Sequence, residues 1–121
     1  MTWRYRQSTG ELSRDGIFFT RGYAGFGEGK NNPAMQTVHD IGPIPVGMWQ
    51  MTAIMDLPAN GPRCIRLVPM EGTQTWGRDG FLIHGDSLAK PGMASHGCII
   101  IGRAQRELLW QTQDRILEVV A

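Results

Sequence analysis

At 121 residues, 41% hydrophobic and 19% charged, the chain is sized for one domain with a core of its own. Its formal net charge is +1 and its basic residues are scattered, which argues against a nucleic-acid partner and against docking on an anionic membrane. No apolar run approaches the roughly 20 residues of a bilayer span, and the N-terminal MTWRYRQSTGEL has no apolar stretch of the Sec signal-peptide kind.

Glycine and proline punctuate the whole length, and the short apolar runs between them read as strands. Trp3–Gln7 and Glu11–Ser13 flank a hairpin turn at Ser8-Thr9-Gly10, with Gly10 taking the positive φ. Ile17–Thr20, β-branched and aromatic, suits a strand. Gly25–Pro33 (GFGEGKNNP) shows no strand pattern and is expected as a flexible, substrate-facing flap. Gly42-Pro43-Ile44-Pro45-Val46-Gly47 leads into a strand at Met48–Ile54, where Gly47 marks a bulge or a close backbone approach. Cys64–Val68 is a further strand, broken by Arg66, and Phe81–Ile83 and Cys98–Ile101 read as strands buried on both faces. Helix formers concentrate only in Arg103–Thr112, where Ala104/Leu108 or Gln105/Leu109 could face the core. Arg115–Val120 is a last strand. The result is one mainly β domain, 1–121, with a single C-terminal helix.

Chemistry concentrates in FLIHGDSLAKPGMASHGCIII, Phe81–Ile101, which holds two of the three histidines and one of the two cysteines. Two cysteines, Cys64 and Cys98, are too few for a disulfide framework and read as free thiols. His84 ends one apolar run and Cys98 begins the next; if the two strands pair antiparallel, imidazole and thiol converge at one end of the sheet. An imidazole there can remove the thiol proton, and N–H groups around Gly97 and Cys98 can form an oxyanion hole. The orienting third group would be a backbone carbonyl, Asp86 or Ser87. Two other readings stand beside this one. A cysteine opening Cys-Ile-Ile-Ile is most often a buried core thiol. His84-x-Asp86 and His96-x-Cys98 also place mixed ligands on one face of an extended segment, as a zinc site would.

Ile83-His84-Gly85 followed by Ser95-His96-Gly97-Cys98-Ile99 resembles the signature of the L,D-transpeptidase (YkuD-type) superfamily. Gly22-Tyr23-Ala24-Gly25, Lys30-Asn31-Asn32-Pro33, the GPIPVG segment and Arg78–Asp86 make the chain most similar to the small type VI secretion L,D-transpeptidase effectors. The resemblance implies an L,D-transpeptidase-like β-sandwich without a cofactor or metal. It implies Cys98 as nucleophile, His84 as base and the Gly85 carbonyl as its orienting partner. Ser95 would hold the loop or substrate, His96 would line the pocket, and Gly97, Asp86, Arg78 and Tyr23 would border the substrate. One position departs from the pattern: Ile100 stands where the superfamily usually has an arginine after its cysteine, leaving Arg103 or Arg78 to supply a cation.

The implied substrate is a peptidoglycan stem peptide, from which the terminal D-Ala is cleaved or exchanged. The implied partners are a periplasmic immunity protein and a type VI delivery component. With no signal peptide expected, the enzyme would leave the producer's cytoplasm by injection and act in a target periplasm. A zinc-dependent peptidase on His84, Asp86, His96 and Cys98 is the alternative enzyme. A non-catalytic wall-binding module would instead use Trp49, Trp76 and Tyr23 as a glycan groove, with Trp3 and Trp110 in the core.

Overall fold

The computed structural model describes residues 2–121. In chain order the strands are β1 (Trp3–Arg6), β2 (Glu11–Arg14), β3 (Ile17–Arg21), β4 (Tyr23–Ala24), β5 (Gly47–Leu57), β6 (Gly61–Pro69), β7 (Leu82–His84) and β8 (Ile99–Ile100). Two one-turn 3-10 helices (Gly27–Gly29 and Pro33–Met35), helix α1 (Arg103–Gln111) and β9 (Ile116–Val120) complete the fold. Alternation explains β1 and β9: Trp3 and Tyr5 of β1 are buried while Arg4 and Arg6 face water, and in β9 Leu117 and Val119 are buried.

All nine strands form one sheet, in the order β3-β2-β1-β9-β5-β6-β7-β8-β4. β3 and β4 lie at opposite edges of that order, yet only Gly22 separates them along the chain. The sheet must therefore curl until its two edges meet, and the expected sandwich is a single sheet closed on itself. Gly22 sits at the seam: its N–H donates to the Gly10 carbonyl at 2.8 Å, and a Cβ there would lie 1.9 Å from the Ile100 carbonyl oxygen. One apolar cluster accordingly joins Trp3 and Leu12, near one edge, to Ile83 and Ile99, near the other.

The hairpin turn at Gly10, the close approach at Gly47 (against Thr73) and the single helix fall where the sequence puts them. In α1 it is the Gln105/Leu109 side that turns inward, with Leu109 buried beside Arg106 and Leu108 exposed. β5 and β6 run well beyond the expected Met48–Ile54 and Cys64–Val68, because main-chain pairing carries exposed polar residues such as Asp56 along with it. The Gly25–Pro33 segment is pinned rather than a free flap. Its Gly25 N–H donates to Ser95 Oγ at 2.9 Å, the Asn31 side chain accepts from Ala24, and Phe26 stacks on His96 at 5.1 Å.

The expected antiparallel pairing is overturned. β7 and β8 run parallel, with Ile83 opposite Ile99 and His84 opposite Ile100. The segment 85–97 is a dozen-odd residues, enough to carry the chain back to the start of its neighbour without a helix. His84 lies opposite Ile100, two positions past Cys98, so the parallel sense offsets the two by only two residues because the strands are three and two residues long.

Candidate active site

β7 and β8 carry the site on alternate residues. Ile83 and Ile99 are fully buried in the core, so Leu82, His84 and Ile100 turn to the other face. Cys98 precedes β8 and continues the alternation, falling opposite Leu82, whose N–H points at Sγ from 3.3 Å. Thiol and imidazole thus share a face, offset by roughly 7 Å along the strands.

His84 is 3% exposed, and its Nδ1 lies 2.8 Å from the Gly85 carbonyl. That contact assigns the proton to Nδ1 and leaves Nε2 as the acceptor, facing the Asn60 amide at 3.5 Å. Burial holds the imidazole below its ordinary pKa; the Gly85 carbonyl opposes this and the nearby Arg106 charge adds to it. Burial likewise pushes the Cys98 thiol up, against the pull of the Leu82 N–H and of Arg78. Both shifts favour the uncharged forms of thiol and imidazole.

The turn before Cys98 is built around Ser95, which is wholly buried. Its hydroxyl accepts from Gly25 N–H at 2.9 Å and from Gly97 N–H at 3.1 Å, and donates to the Cys98 carbonyl. Ser95 therefore holds the loop and presents no atom to a ligand. The Gly97 N–H is already committed to it, which removes that group from the expected oxyanion hole of the resting site. Gly97 itself has φ +136°, and a Cβ would lie 2.6 Å from an Arg78 nitrogen. Arg78 is 6% exposed and donates to the carbonyls of Gln36, Gly42, Pro43 and His96. It buttresses the turn from behind.

Cys98, His96, Arg78, Phe81, His39 and Asp40 border a small cavity of about 200 Å³. His96 holds its place through Nδ1, 3.0 Å from the Asp40 carbonyl. Tyr23 and Asp86 lie elsewhere, on a separate open cleft of about 940 Å³ that also includes Gly85. There the Tyr23 hydroxyl donates to Asp86 at 2.6 Å. The four proposed zinc ligands are accordingly divided: among the described residues no three His, Cys, Asp or Glu side chains gather as a metal requires. The glycan groove dissolves too, since Trp49 is fully buried against Phe81 while Trp76 is exposed.

Two residues beside His84 escaped the sequence reading. Asn60 occupies the β5–β6 turn; the Asn60-Gly61 dipeptide signals a tight turn but not its neighbour. Arg106 is buried and packs its guanidinium against Gly85. No local pattern marks an arginine in a helix as part of a site twenty residues upstream.

Residues 19–120 match the family described as the Tlde1 domain. The chain belongs to this family, that of the type VI secretion L,D-transpeptidase effectors. A solved structure described as an L,D-transpeptidase (Yku) from Stackebrandtia nassauensis is similar with a TM-score of 0.61 at 14% identity, over 99% of this chain and 55% of that one. At that identity the likeness speaks for the fold, which is the L,D-transpeptidase fold, and the Tlde1 chain spans about half the length of that solved structure. No curated protein matches the sequence.

Proposed function

We propose that the protein is a cysteine L,D-transpeptidase and L,D-carboxypeptidase acting on the tetrapeptide stems of peptidoglycan. The observation that carries this reading is the alternation that puts Cys98 and the Gly85-oriented His84 on one face of β7 and β8. With Nδ1 protonated, Nε2 is the free base and takes the Sγ proton as the thiolate forms. Because burial favours the uncharged forms of both groups, this transfer belongs to the encounter with substrate, when Nε2 must exchange Asn60 for Sγ.

Sγ attacks the carbonyl that joins the diamino acid's L-centre to the terminal D-Ala. The C–N bond then breaks, and the departing amine takes its proton from Nε2. Water reaching the acyl-enzyme releases a tripeptide; a D-amino acid or another stem yields exchange or a crosslink. Consumption of tetrapeptide donors would make the protein toxic in a target periplasm. A producer would then need an immunity protein, and delivery a type VI component.

Purified protein incubated with tetrapeptide muropeptides is expected to give tripeptides by mass spectrometry, and Cys98→Ala to abolish them. Muropeptides left equally intact by both proteins would falsify this function. Zinc-dependent hydrolysis would instead require stoichiometric zinc and stop with chelator.

A further inference from the structure

The cleft that includes Gly85 shares no lining residue with the cavity at Cys98 and is the larger of the two. Four charged side chains line it: Arg21, Arg103, Arg106 and Asp86. Asp86 is saturated, accepting from the Tyr23 hydroxyl and from the N–H groups of Ser87 and Gly92. Arg21 is paired with Glu11 at 3.2 Å. The remaining two cations have no carboxylate within 4 Å among the described residues.

Arg106 forms the floor. It is 3% exposed, and its guanidinium donates to the carbonyls of Arg63, Ile101 and Pro62. Three neutral acceptors engage three of its five N–H groups, leaving a buried charge without a counter-ion, an arrangement that costs stability. Its two terminal nitrogens lie 3.1 and 3.3 Å from where a Cβ on residue 85 would stand, so glycine keeps that side of the fork uncovered. Arg103, exposed at the start of α1, stands on the rim of the same cleft.

We propose that this cleft is a carboxylate-binding subsite, with Arg106 beneath the anion and Arg103 closing over it. A planar carboxylate suits an arginine fork, and bonds between two charged partners are the strong ones in a part-buried site. Given the stem-peptide reading above, on which this inference rests, the anion is a carboxylate of the stem: its C-terminus or the side-chain carboxyl of its diamino acid. The cleft adjoins the Gly85 backbone that orients His84, so a carboxylate held there registers the scissile bond against the base.

Arg106 ties α1 to β6 and its replacement risks unfolding, so the exposed Arg103 carries the test. The Cys98→Ala protein is titrated calorimetrically with a tetrapeptide stem, and with the same stem amidated at either carboxyl. Arg103→Gln in that background is expected to weaken binding of the free stem about tenfold. Amidation of one carboxyl should cause a similar loss and erase the effect of Arg103→Gln; the other amidation should be silent, which identifies the group bound. Arg103→Lys should recover part of the affinity. Equal affinity for all three stems, indifference to Arg103→Gln, or no binding at all would each overturn the subsite. Tripeptide release by the wild-type enzyme reads the catalytic function separately, and its presence alongside any of those results would sink the subsite alone.

Discussion

At the residue scale, the decisive facts are which atoms are already engaged. Nδ1 of His84 is committed to the Gly85 carbonyl, and this leaves Nε2 as the accepting nitrogen and so as the proposed base. Both members of the pair are shifted toward neutrality by burial: the imidazole down, the thiol up. The expected pH behaviour follows. Alkylation of Cys98 by iodoacetamide, read on its own peptide by mass spectrometry, should keep rising beyond about pH 8.5, the ordinary thiol value. The acid limb of kcat/KM should fall below about pH 6.5, since a depressed His84 remains a neutral base until more acid is present. A Cys98 that reacts at a constant rate from about pH 7 upward would reveal a preformed thiolate–imidazolium pair and contradict this account. The histidine, its glycine and the Ser-His-Gly-Cys turn were all legible in the sequence. Asn60 and Arg106 were not, because each reaches His84 from an element distant in the chain.

At the scale of elements, the loop 85–97 joins His84 to Cys98, and its first half is held by one carboxylate. Asp86, a metal-ligand candidate on spacing alone, instead receives the Tyr23 hydroxyl and the backbone of its own loop, while Tyr23 also accepts from Ala94 N–H at 3.0 Å. Lys30 sits 4.5 Å from the centre of the Tyr23 ring and completes the clasp. Burial works to raise the Asp86 pKa, but the bonds from Tyr23, Gly92 and Ser87, with Lys30, outweigh it and hold the group below the ordinary value. Tyr23 is correspondingly pushed up to about 12, by burial first and then by Asp86. A depressed carboxylate contributes its stability above the unfolded pKa and loses it as pH falls through the folded one, so the clasp is intact at neutral pH. Asp86→Asn and Tyr23→Phe should each slow tetrapeptide turnover, and the double variant should be no worse than the poorer single one. Because Asp86 is exposed, the stability change should stay within about 1 kcal/mol while amide exchange across 85–97 accelerates. Additive losses in the double variant would mean that the two side chains act separately.

At the scale of the whole molecule, the sheet closes at one residue. Gly22 lets β3 run on into β4 while the Ile100 carbonyl occupies the space a side chain would need. Gly22→Ala should therefore cost about 3 kcal/mol or more in urea denaturation. Gly16→Ala, at φ +79° with open space around it, should cost about 1 kcal/mol. Similar losses at both positions would show that the seam is not where the fold is tightest.

The amino-acid sequence by itself determined the class of the protein: β-rich, with one helix, two fully buried strands and a thiol and an imidazole at their ends. Local information suffices there, since apolar run length, turn residues and helix formers act over a few neighbouring positions. Only the tertiary structure decided that β7 and β8 run parallel, that Gly22 is a seam, and that Arg106 lies under Gly85. Each depends on which distant segment comes to lie alongside, and strand periodicity is the same in either direction of pairing. HG and SHGC therefore marked the candidate chemistry, while the closed sheet determined where imidazole and thiol stand along its strands.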